Sequence, residues 1–139
     1  MRMLDTNVLV NAHRRDMEHH EQCHVVLTEM LNGDEAYAVS DFALNGFIRV
    51  ATRIPRPTSF ETARTFAEIV RHQPHAVVVH AGPRHWEIFV KLCEQAGAVG
   101  NLVPDAYLAA LAIEHGCEFV TCDKDFARFQ GLRWRSPLN

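Results

Sequence analysis

No run of about eighteen apolar residues occurs in the chain, which excludes a membrane-spanning helix. An apolar stretch of at least about seven residues, as an export signal needs, is also missing before Asp5, so a cytoplasmic protein is expected. Cys-x-x-Cys pairs are absent. The four cysteines, Cys23, Cys93, Cys117 and Cys122, are scattered, which argues against a zinc site or a disulfide frame and for reduced thiols acting as small buried hydrophobes. Positive charge is not in excess: the net charge of −3 gives no overall attraction to nucleic acid. Lysine is scarce, with only Lys91 and Lys124 beside twelve arginines. Arginine is the better bidentate phosphate ligand, a weak pointer to an anionic partner. Repeats and low-complexity tracts are lacking too. What remains is one expected domain over residues 1–139, 47% hydrophobic and long enough for a real core.

The chain opens on apolar residues leading into Asp5, with a helical pattern directly behind it at Val8, Leu9 and Ala12. A second helix is expected from about His19 to Leu31, closed by Asn32-Gly33. A β-prone run, Ala36 to Ser40, leads into a helix to about Thr52, capped by Ser40 or Asp41. Pro55 and Pro57 enforce a linker, and Thr58-Ser59-Phe60-Glu61 reads as a capping box for the next helix. Ala76 to Val79 is the most strand-like stretch in the chain. Pro83 then opens a helix with Trp86, Phe89, Val90 and Cys93 at core spacing, and Gly97 and Gly100 break it. Pro104 suits the first position of a helix to His115, whose alanines permit close approach to a sheet. Glu118 to Thr121 is a further strand, and Leu132 to Arg135 an edge strand. Strands alternating with helices predict an α/β fold with a central parallel sheet covered on both faces.

In such a sheet Asp5, Asp105 and Asp123 fall at one edge, where the strands end and ligands are held. Each has a structural reading of its own. Asp5 suits a helix cap, Asp105 the positive end of a helix dipole, and Asp123 and Asp125 an ordinary turn. Brought together, three carboxylates repel one another unless a cation neutralises them. An all-oxygen donor set favours Mg²⁺ or Mn²⁺ over zinc.

These acids lie in segments that carry a resemblance. Leu4-Asp5-Thr6-Asn7-Val8-Leu9 resembles the opening signature of PIN-domain ribonucleases. Val103-Pro104-Asp105-Ala106-Tyr107-Leu108-Ala109-Ala110-Leu111-Ala112 is similar to their third motif. Thr121-Cys122-Asp123-Lys124-Asp125-Phe126, followed by Phe129 and Gly131-Leu132, is similar to their last. The likeness spans essentially the whole chain and is closest to the VapC toxins of bacterial toxin–antitoxin pairs. It implies a three-layer α/β/α fold and an endoribonuclease toxin that cleaves RNA phosphodiester bonds by a metal-activated water. It also implies a homodimer and a small VapB-type antitoxin as inhibitor. Asp5, Asp105 and Asp123 carry over as catalytic metal ligands for Mg²⁺ or Mn²⁺. Thr6, Asn7 and Asp125 carry over as supporting residues. One departure stands out. Gly46-Phe47-Ile48-Arg49-Val50 has Gly where the family often has a Glu. Glycine costs a helix roughly 1 kcal/mol relative to Ala, which suggests a need for space, and its presence puts a second metal in doubt.

Other groups are candidates beside the acids. Arg49 and Arg53 share a helix face, and Arg14-Arg15 follows the first helix, so either pair is a candidate for gripping RNA phosphates. His20, Cys23 and His24 have metal-like spacing but no evident fourth ligand. Arg84-His85-Trp86 contains residues able to stack on bases, although Trp86 is expected in the core. Two alternatives to the nuclease remain. One is a catalytically inert PIN-fold module that binds RNA or protein, for which Gly46 is the best argument. The other is aspartyl phosphotransfer through Asp5, which wants a second Asp where Asn7 stands.

Overall fold

A computed structural model describes residues 1–139. Its five strands are short and parallel, and the middle ones are covered on both faces. They are β1 (Arg2–Leu4), β2 (Tyr37–Ser40), β3 (Ala76–Val79), β4 (Glu118–Val120) and β5 (Trp134–Arg135), in the spatial order β3-β2-β1-β4-β5. All four β2 residues are buried, as expected of a strand with helices on either side. Register follows from pairs such as Met3 with Ala38 and Leu4 with Val120.

Six helices connect the strands: α1 (Thr6–His13), α2 (His20–Asn32), α3 (Asp41–Ala51), α4 (Phe60–Arg71), α5 (His85–Ala96) and α6 (Leu102–Glu114). A 3₁₀ turn over Lys124–Arg128 follows β4. Helix α1 packs against α2 and α3, α3 against α4, and α5 against α6. With the right-handed crossovers that parallel strands adopt, the strand order and these helix contacts put α1–α4 on one face of the sheet and α5–α6 on the other, the three layers of an α/β/α fold. The core joins sheet and helices through Met3, Val8, Phe47, Leu111, Phe119 and Phe126, each at most 2% exposed. Helix α6 buries Ala106 and Leu108 through Ala112, so its small side chains do allow close packing.

The strand order has a functional consequence. From β1 the chain runs to β2 and β3 on one side, then returns to place β4 on the other. The connections leaving β1 and β4 therefore diverge, and a crevice opens beyond their carboxyl ends.

Three local expectations differ from the structure. Trp86 is 71% exposed rather than in the core. The inner face of α5 is set by His85 and Leu92 instead, because the His85 imidazole satisfies its polarity on the Tyr107 carbonyl (3.0 Å). Pro104 is the third residue of α6, not the first; the position is tolerated because first-turn amides have no helical partner in any case. The cap of α4 is Ser59, whose Oγ accepts from the Thr62 amide at 3.2 Å, so no Thr58–Glu61 box forms. Thr58 is drawn aside by the Arg14 guanidinium, which donates to its hydroxyl at 3.4 Å.

Candidate active site

Asp5 is the residue on which β1 becomes α1. Its extended backbone (φ −71°, ψ 158°) makes it the N-cap of α1, with Oδ1 accepting from the Thr6 amide at 2.7 Å. Its own amide donates to the Val120 carbonyl at 2.9 Å and so locks it to β4. The other carboxylate oxygen accepts from the Thr121 hydroxyl at 2.7 Å. The side chain is thus both a cap and an inward-facing acid, 5% exposed.

Asp105 lies in the first turn of α6. Asp123 caps the 3₁₀ turn after β4, its Oδ1 accepting from the Asp125 amide at 2.9 Å. All three acids line one cleft of about 690 Å³ beside Thr6, Asn7, Asn11, Asn45, Gly46, Arg49, Arg53 and Asn101. Asp125 is exposed and not among the lining residues.

The electrostatics of the cleft follow from burial and like charge. Desolvation pushes the Asp5 carboxyl up to about 7; hydrogen bonds from Thr121 and Thr6 oppose the rise, and the charges of Asp105 and Asp123 add to it. Asp105 is raised to about 6, again first by desolvation and then by Asp123 and Asp125. These carboxyls are short of positive charge. No three Asp, Glu, His or Cys side chains are drawn tightly enough to enclose an ion as they stand. The donor chemistry nevertheless suits a hard divalent cation: every acid in the cleft offers carboxylate oxygen, and each Asp5 oxygen keeps an accepting position beyond its single hydrogen bond.

Thr121, which has no side-chain role in the sequence-based reading, is the central positioning residue. Fully buried, it donates to Asp5 and accepts from the Asp123 amide (3.0 Å) and from Asn7 Nδ2 (3.3 Å). The one sequence signal for it is a hydroxyl at the end of β4, two positions before the acid in Thr121-Cys122-Asp123. Asn7 completes the clasp, its Oδ1 accepting from the Cys122 amide at 3.2 Å. Asn7 therefore aligns the Asp123 loop and does not touch Asp5 directly. Thr6 holds Asp5 through its amide and ties α1 to α3 through its hydroxyl, which donates to the Ala43 carbonyl at 3.1 Å.

Gly46 serves that α1–α3 contact. A Cβ built there would stand 2.8 Å from Thr6 Oγ1 and 3.2 Å from its Cγ2. Its backbone needs no positive φ, so the residue is there for space. Thr6 fills the room a larger side chain would take. Asp41 is no replacement acid, because both its oxygens accept from Arg71, at 2.8 and 3.2 Å.

The four candidate arginines separate clearly. Arg49 and Arg53 line the cleft, and neither makes an ion pair with an acid. Arg14 is buried and committed to both Asp16 oxygens and to the Pro55 carbonyl, while Arg15 is exposed outside the lining. His20 bonds the Asn11 carbonyl and lies tilted against His24, whereas Cys23 turns inward, so the three form no metal group.

Comparison with known proteins identifies the family. The family model described as "PIN domain" matches residues 2–132. Ribonuclease VapC31 of Mycobacterium tuberculosis is 41% identical, the match covering 99% of this chain and all of the relative. VapC ribonuclease Mb2897 of Mycobacterium bovis is 39% identical, over all of this chain and 97% of its own. Among solved structures, VapBC2 from Rickettsia felis bound to a promoter DNA fragment shares the fold at a TM-score of 0.72 and 20% identity, covering 97% of each chain. With the family model spanning nearly the whole sequence and relatives named VapC ribonucleases matching it end to end, the chain belongs to the PIN domain family.

Proposed function

We propose that the protein is a metal-dependent endoribonuclease of the VapC type, the toxin of a toxin–antitoxin pair. The observation that carries the reading is the convergence of Asp5, Asp105 and Asp123 on one cleft, with the carboxyls of Asp5 and Asp105 raised first by burial and then by the charge of their acidic neighbours. These acids would hold Mg²⁺ or Mn²⁺. Such an ion, when bound, supplies charge that neutralises the scissile phosphate and eases loss of a proton from an attacking water. The chain's own groups do the rest. Thr121 fixes the Asp5 carboxylate, Asn7 aligns the Asp123 loop, and Arg49 and Arg53 hold phosphates along the cleft wall. Asn45 and Asn101 on the same lining offer amides to ribose or base edges.

RNA is the proposed substrate and a VapB-type antitoxin the proposed partner. The relatives' ribonuclease names and the VapBC composition of the structural neighbour support both. A cytoplasmic homodimer completes the proposal; no helix is long and apolar enough to cross a membrane. The test is cleavage of varied RNAs with Mg²⁺ or Mn²⁺ by the wild type beside Asp5→Ala. Cleavage by the wild type alone is expected. No cleavage by either, or equal cleavage by both, sinks the nuclease, and Mn²⁺ binding without cleavage would leave an inert binding module.

A further inference from the structure

The four cysteines are dispersed in sequence, yet folding brings two of them together. Cys23 Sγ on α2 lies 3.5 Å from Cys122 Sγ on the loop after β4, across 99 residues of chain. Both are free thiols, and no metal-ligand group includes them. Cys23 is fully buried on a helix, whereas Cys122 is half-buried, within reach of a small reagent. Cys122 also sits at the most sensitive place in the fold. Thr121 before it fixes Asp5, Asp123 follows it, and its own amide is clasped by Asn7.

We propose that Cys23 and Cys122 are a peroxide-oxidisable dithiol whose disulfide displaces the acid-bearing loop and shuts down the cleft. The Cys122 sulfur attacks one oxygen of a hydroperoxide, the O–O bond breaks, and an alcohol or water leaves, so that Cys122 becomes a sulfenic acid. The Cys23 sulfur then attacks the Cys122 sulfur. The S–O bond breaks, the hydroxyl departs as water with the Cys23 proton, and the S–S bond forms. Two thiols have lost two electrons and the peroxide has gained them.

A disulfide requires sulfur atoms about 2.05 Å apart, so the pair must close by more than an ångström from 3.5 Å. Cys23 is anchored within α2, and the loop carrying Cys122 takes up most of the shift. That shift acts on Thr121 and Asp123, the neighbours that align the acids. A displacement of about 1 Å in a reacting constellation costs up to about 10²-fold in rate. Reduction by a thiol restores the open arrangement.

The switch rests on the ribonuclease reading of the same cleft, so its test includes readouts that do not depend on cleavage. Purified protein is treated with hydrogen peroxide, alkylated, and mapped by mass spectrometry; Mn²⁺ binding is followed by calorimetry before and after oxidation. Expected are a Cys23–Cys122 cross-linked peptide, Mn²⁺ affinity and RNA cleavage each lower by about tenfold or more, and recovery of both with dithiothreitol. Cys23→Ala should keep basal cleavage and Mn²⁺ binding while losing the peroxide response, and Cys93→Ser should keep that response. Absence of the cross-link overturns the proposal, as does a cross-link that leaves Mn²⁺ binding and cleavage unchanged. If the reduced protein cleaves no RNA, the nuclease reading fails while the cross-link and Mn²⁺ arms still decide the switch.

Discussion

Asp5 costs the metal-free protein stability, and its replacement by Asn should make the fold stronger. The folded pKa of about 7 lies above the ordinary 3.8, chiefly through desolvation. Between those values the folded protein keeps a proton that the unfolded chain has released, so stability present at low pH is lost as pH rises through the window. The full displacement is worth on the order of 4 kcal/mol above pH 7. In Asp5→Asn the side-chain oxygen can still accept from the Thr6 amide. The new NH₂ group, however, meets a Thr121 hydroxyl already accepting from Asp123 and Asn7, and losing that hydrogen bond costs about 1 kcal/mol. A net gain of about 3 kcal/mol at pH 8 follows, shrinking to under about 1 kcal/mol at pH 5, where much of the wild-type penalty has been relieved by protonation. For a chain of this length the pH 8 gain raises Tm by about 10 °C. Thermal unfolding of both proteins in chelator at pH 5 and pH 8 measures it. Mn²⁺ should then raise the Tm of the wild type and not of the variant. An Asp5→Asn protein no more stable than wild type at pH 8, or favoured equally at both pH values, would refute the reasoning.

Thr121→Val keeps shape and removes the hydroxyl that serves Asp5, Asp123 and Asn7; denaturant unfolding should show a loss of about 1–3 kcal/mol, and cleavage should fall about tenfold or more as Asp5 loses its alignment. Gly46→Ala sets a helix-propensity gain of about 1 kcal/mol against overpacking on Thr6 of about 1–3 kcal/mol, so a net loss is expected. Combining it with Thr6→Ala should recover part of that loss, and additivity in the double-mutant cycle would show that the two residues do not meet. Arg49→Ala and Arg53→Ala should each lower the salt dependence of RNA binding by about one in log–log slope, measured by fluorescence anisotropy, whereas Arg14→Ala should reduce stability with little effect on that slope.

The sequence by itself determined a good deal. Short β-branched runs alternating with helical periodicity specify strands covered on both faces, and Asp5-Thr6-Asn7 marks the first strand-to-helix junction through the local chemistry of a cap. Such features depend on neighbours within a turn, so they can be read from spacing. Its failures were local as well. Trp86 shares core spacing with Phe89, Val90 and Cys93, yet His85 takes the inner place by finding the Tyr107 carbonyl 22 residues away. Tertiary structure alone decided the rest. Placing β4 beside β1 makes their connections diverge, so acids at positions 5, 105 and 123 line one cleft. It joined Thr121 to Asp5 and Asn7 at the start of α1 and filled the space over Gly46 with Thr6. It also committed Arg14 to Asp16 while leaving Arg49 and Arg53 on the cleft wall, and set Cys23 against Cys122. The deciding contacts, Thr121 with Asp5, Thr6 with α3 and Cys23 with Cys122, join residues far apart in the chain, and such contacts are set by strand order and packing, which no local pattern encodes.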